Sequence, residues 1–171
     1  MMSRSLCRLL ATSILLSTPA LVPRHGSAAE PPALLVSAWV ATAGPYGEDW
    51  DLTIRQDGAA ALQVLYMGSP SGTLMAHVRL SEDAITRIRA ALASERFFDL
   101  ATKLAPKASP LHMPHLKLDI WSGEEHRVVT LYDPGPIMQE PATQRFLKVW
   151  DAVYSGFPLR PTWEKGRITT R

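Results

Sequence analysis

Two histidines flank a Met-Pro pair in SPLHMPHLKLDIW, residues 109–121, and they are the first residues whose types and spacing invite chemistry. His112 and His115 can ligate a metal only if their imidazoles converge within a few ångströms of one ion. The residue before a proline is pushed toward extended backbone, so Met113 is predicted to be stretched. An extended three-residue step covers about 10 Å and turns alternate side chains to opposite faces, which makes the two imidazoles diverge. The spacing also departs from the His-Glu-x-x-His of helical zinc sites. His126 is a third candidate, but the hairpin derived below sets it six residues along the strand from His115, about 20 Å away. Metal ligation by His112, His115 and His126 is therefore the weaker reading, and no cofactor is expected.

Other chemistries fare no better. In SGEEH, residues 122–126, Glu124 and Glu125 stand beside His126 and could form an acid–base pair. A solvated turn tip, however, lacks the desolvation that tunes such groups. Met75 and His77 share one face of an expected strand, and thioethers suit Cu(I), but two ligands without a third leave such a site incomplete. GSPSG, residues 68–72, is not G-x-S-x-G; it joins two strands and lacks the Gly-Lys-Ser/Thr of a phosphate loop. No catalytic residue is nominated.

The elements that must position these residues follow from periodicity and turn chemistry. LLVSAWVAT, residues 34–42, is apolar and β-branched enough for a strand, after a stiff EPPA linker at 30–33. In WDLTIRQDGAAALQVLY, Trp50, Leu52 and Ile54 alternate with polar residues, and Leu62, Val64 and Tyr66 alternate on the return. A two-residue Asp57-Gly58 turn would set Leu52 against Gln63 and mix the faces. A three-residue loop, Gln56-Asp57-Gly58 with Gly58 left-handed, sets Leu52 against Leu62 and Trp50 against Val64. TLMAHVRL, residues 73–80, alternates again, with Met75, His77 and Arg79 on one face. Ser81 then caps a helix that carries Glu82 and Asp83 in its first turn and an apolar stripe of Ile85, Ile88 and Leu92.

Residues 101–114 contain three prolines and read as a loop. HLKLDIW and EHRVVTLY form a second hairpin around a Gly123-Glu124 turn that pairs Ser122 with Glu125. That register sets Leu118 against Val129 and Leu116 against Leu131 on one face, and Trp121 against His126 and His115 against Tyr132 on the other. Pro141 opens a second helix with Phe146, Trp150 and Val153 as its stripe, ended by Gly156 and Pro158. The sum is an α+β two-layer sandwich: an antiparallel sheet of about five strands with two helices packed on one face. Residues 34–158 form one domain, and 159–171 read as a flexible tail. The opposite, open face carries Met75, His77, Trp121 and Tyr132, the candidate ligand or partner surface.

Export is expected as well. Arg4 and Arg8 precede an apolar run from Leu9 to Val22, and SAAE offers cleavage after Ala29, the pattern of a signal peptide spanning 1–29. That run is shorter than the ~20 residues of a transmembrane helix, so no membrane span is expected after cleavage. The only cysteine, Cys7, lies before the run, which excludes a disulfide scaffold for the mature chain. The chain's net charge of +2 also falls mostly on the signal segment; the remainder holds 15 basic and 16 acidic residues, and no basic stripe for nucleic acid survives.

DLTIRQDG, LSEDAITRI, FFDL, LKLDIWSGEEHRVV and FLKVWDAV, in this order, resemble a group of secreted bacterial α+β domains of unknown function. The resemblance covers roughly Val36 to Pro158 and implies this fold and export, without carrying over an active-site residue. Some of those domains place cysteines around the first strand, where ATAGPYG here has none. The expected function is an exported, non-catalytic binding or interaction module in the periplasm, with a protein or small-molecule partner in the cell envelope. A metal-binding protein or metal-dependent enzyme using surface histidines is the alternative, and an inhibitor of an envelope enzyme is a third class.

Overall fold

A computed structural model describes residues 33–41, 48–66, 73–158, 161–164 and 167–170. The expected signal segment 1–29, nearly all of the linker 30–33 and the GSPSG segment 68–72 lie outside the described residues.

Alternating apolar side chains build the strands, and turn residues set their register. β2 (Glu48–Ile54) and β3 (Ala59–Tyr66) pair with Leu52 opposite Leu62 and Trp50 opposite Val64. Gly58 sits at φ 78°, the left-handed position that the three-residue loop requires, and its N–H donates to Arg55 O at 2.9 Å. Asp57 tightens the same turn: its Oδ1 accepts the Ala59 N–H at 3.0 Å. That bond is the main cause that holds its carboxyl below the usual aspartate range, with the Arg79 guanidinium adding to it. β6 (His115–Ser122) and β7 (Glu125–Tyr132) pair through Gly123 at φ 62°, in the register Leu118–Val129, Leu116–Leu131 and Ser122–Glu125.

The sheet is larger than the five strands expected. β1 (Leu34–Ala41), β4 (Thr73–Arg79) and both hairpins join one sheet, and a two-residue strand, β5 (Lys103–Leu104), adds a seventh. The order is β4-β3-β2-β1-β6-β7-β5, antiparallel except for the β5–β7 pair. β5 escapes the sequence pattern because two residues show no alternation; it is fixed by backbone bonds such as Thr130 N–H to Thr102 O at 2.9 Å. β1 occupies the centre, pairing with β2 on one side and β6 on the other, so the two hairpins meet only through it.

One face of the sheet holds the core. Leu34, Val36 and Ala38 of β1 join Leu52, Ile54, Leu118, Ile120, Val129 and Leu131 in a single apolar cluster with both helices. Helix α1 (Glu82–Ser94) contributes Ala84, Ile88 and Leu92; Ser81 caps it, its Oγ accepting the Ala84 N–H at 3.2 Å. Helix α2 (Pro141–Gly156) contributes Phe146, Val149 and Val153, and Pro141 stands at its first turn, where a missing N–H costs nothing. Trp150 is only half-buried and packs at 5.2 Å between ring centroids on Trp50. α1 has no basic residue in its last turn; Arg145 of α2 takes that part, donating to Glu95 O and Arg96 O at 2.6 Å each. Past α2, within the segment expected to be a flexible tail, β8 (Pro161–Glu164) and β9 (Arg167–Thr170) pair with each other as a separate antiparallel hairpin. Among the described residues no helix is long and apolar enough to cross a membrane.

Candidate functional site

The face of the sheet turned away from the core carries every second residue of each strand, and among the described side chains of the seven-stranded sheet no outward one is fully buried. Its exposed large apolar residues are Leu35, Leu65, Met75 and Trp121. Leu35 pairs directly with Trp121 across β1 and β6, so these two form a contiguous apolar spot.

Around that spot the polar groups are ordered. His126 lies opposite Trp121 and its ring stacks on the indole, centroids 3.9 Å apart and planes within 11°. Its Nε2 meets Asp119 Oδ1 at 2.9 Å, which fixes the imidazole over the indole. The result is a rigid indole–imidazole platform with a carboxylate at its rim, open on the side that His126 leaves free. The Ser37 hydroxyl lies across the strand from Asp119, not from His126. Rigid aromatic area rimmed by polar groups suits recognition.

Tyr132, at the far end of the same hairpin, does structural work. Its hydroxyl donates to Pro110 O at 3.0 Å and accepts the Met113 N–H at 3.2 Å, stapling the 109–114 loop to β7. The buried Asp133 beside it accepts from Ser109 Oγ at 2.6 Å and donates its own N–H to Pro114 O at 3.0 Å. His115 is held between Trp39, edge-on at 4.7 Å, and Tyr132 at 5.8 Å.

The four expected surface residues thus share a face without forming one patch. Trp121 and Tyr132 lie at opposite ends of the β6–β7 hairpin, with Tyr132 opposite His115. Met75 and His77 stand on β4, four strands from β6, or about 19 Å at the usual strand spacing. They border a hollow of about 480 Å³ whose floor is formed by the small Ala59 and Ala61 of β3. The separation arises because β1 inserts between the hairpins, a long-range pairing that alternation within each strand does not reveal. Leu35, Trp39 and Asp119 were not singled out by the sequence reading; Leu35 and Trp39 sit in a run read only as a strand, with no face assigned, and they alternate with its buried residues.

The histidines do not gather. His112 is exposed in a turn at φ 61° instead of lying on extended chain, because the loop reverses there before β6 begins. His115 and His126 are at opposite ends of the hairpin, and among the described residues no three His, Cys, Asp or Glu side chains converge.

No protein-family model matches this chain, and no curated protein matches it. The functional reading therefore rests on the sheet face itself.

Proposed function

We propose that this chain is an exported, non-catalytic binding module, built as two layers so that its helices cover one side of the sheet and leave the other for a partner. The observation that carries this is the Leu35–Trp121 spot, held in place by the stacked His126 and its Asp119 contact on the outward face. An exposed tryptophan already held in one orientation loses little freedom on binding, the property that makes aromatic residues effective anchors at interfaces. The signal-like segment 1–29 and the resemblance of the sequence to secreted bacterial α+β domains support a place in the periplasm, where the partner is a protein of the cell envelope.

Affinity capture from envelope extract tests this with three forms of the chain: unmodified, Leu35→Ala with Trp121→Ala, and Arg87→Ala on the exposed side of α1. The proposal predicts a species retained by the unmodified and Arg87→Ala forms and lost with the double variant, whose melting temperature stays within a few degrees of the parent's. Equal retention by all three forms would overturn it.

A further inference from the structure

β4 ends the sheet, and among the described residues no strand pairs with its outer edge. The direction of its backbone groups can be read from one bond: Leu80 donates its N–H inward to Gly58 O at 2.9 Å. Because these groups alternate along a strand, Thr73, Met75, His77 and Arg79 turn their N–H and C=O groups to the free edge. The edge is otherwise undefended, with no proline, lysine or inward-pointing charge along its length. Its one charge, Arg79, is drawn back onto the β2–β3 turn by the Asp57 carboxylate, 3.4 Å away. The core is also unfinished there. Ala60, Leu62 and Val64 of β3 are buried, whereas Ala76 and Val78 on the same face of β4 remain half-exposed.

A second copy satisfies all of these conditions. Antiparallel pairing about a two-fold axis through Ala76 aligns all seven residues of β4 with their copies. Registers centred on Met75 or His77 leave two residues at an end unpaired. About Ala76, Arg79 meets Thr73, so no like charges are opposed, and the half-exposed Ala76 and Val78 are covered. On the outer face Met75 comes opposite His77 of the other copy, and the arrangement repeats across the axis. Directly paired residues stand about 5.5 Å apart and alternate residues about 7 Å along the strand. Two thioethers and two imidazoles therefore rise from the corners of one small parallelogram, a donor set suited to a soft monovalent ion.

We propose that β4 is a self-pairing edge on which Met75 and His77 of two copies together hold one Cu(I) ion. A single chain supplies only half of the ligands, so binding and dimerisation are one event. The inference uses the β4 edge, four strands from the Trp121 strand, and stands or falls independently of the partner reading.

The test is a titration of the tag-free chain with Cu(I) under anaerobic conditions against bicinchoninate, with mass followed by sedimentation. The expected result is one Cu(I) per two chains, a doubling of mass that follows the copper added, and X-ray absorption showing sulfur and nitrogen neighbours. Met75→Leu, which keeps the volume at an exposed position and removes the sulfur, and His77→Ala should each leave the chain monomeric and the copper with the chelator. A chain that stays monomeric at every copper level overturns the proposal. So does uptake of one copper per chain, or uptake that survives both substitutions.

Discussion

At the residue scale, Asp57 shows how an exposed carboxylate can still have a defined part. Its Oδ1 takes the Ala59 N–H across the turn, and Arg79 lies beside its other oxygen, so the charged form is favoured in the fold. A carboxyl lowered by folding contributes stability above its unfolded value, near 3.9, and that contribution disappears as the pH falls through the folded value. NMR titration should find Asp57 ionising below the ordinary aspartate range. Arg79→Ala should raise the value only part of the way, because the Ala59 amide is the larger cause. An Asp57 that titrates normally would remove the turn from this account. Gly58, next to it, is constrained by backbone rather than space: an added Cβ would lie 3.6 Å from its nearest neighbour, Leu80 O, but φ 78° is costly for any other residue.

At the element scale, the helices are joined at their ends as well as along their stripes. Arg145 reaches from α2 to the last carbonyls of α1, where the helix dipole favours a cation and the orphan acceptors need donors. Arg145→Ala should cost about 1.5–3 kcal/mol, the range for hydrogen bonds to a charged group, with earlier amide exchange in the final turn of α1. Chemical denaturation and hydrogen exchange check both. This cap was invisible in the sequence because its donor and acceptors lie some fifty residues apart. Both hairpin registers, by contrast, were legible, since a one-residue slip would bury Gln63 or expose Leu118 and the turn glycines fix the loop lengths. The Ser81 cap was legible for the same local reason. The strand order was not: whether β1 lies at an edge or between the hairpins depends on which distant backbone it meets. For the candidate site, the register alone placed His126 against Trp121. The bond from His126 to Asp119, seven residues earlier in the chain, required the twist and side-chain directions of the folded hairpin.

At the scale of the whole molecule, the central position of β1 divides the outer face into regions with different chemistry. On the β6–β7 side lie the Leu35–Trp121 spot and its Asp119–His126 support; on the β3–β4 side lie Met75, His77 and the hollow over Ala59 and Ala61. A face that no helix among the described residues packs on, with Leu35, Leu65, Met75 and Trp121 exposed along it, is the feature on which the binding reading depends. Hydroxyl-radical labelling read by mass spectrometry tests it most directly, on residues 30–171 alone and then in envelope extract. The account predicts rapid labelling of Leu35 and Trp121 in isolation, slow labelling of the buried Phe97 and Phe146, and protection of Leu35 and Trp121 in the extract while Leu111, in the 109–114 loop, labels as before. Slow labelling of Trp121 in the isolated chain, or no protection in the extract, would contradict it.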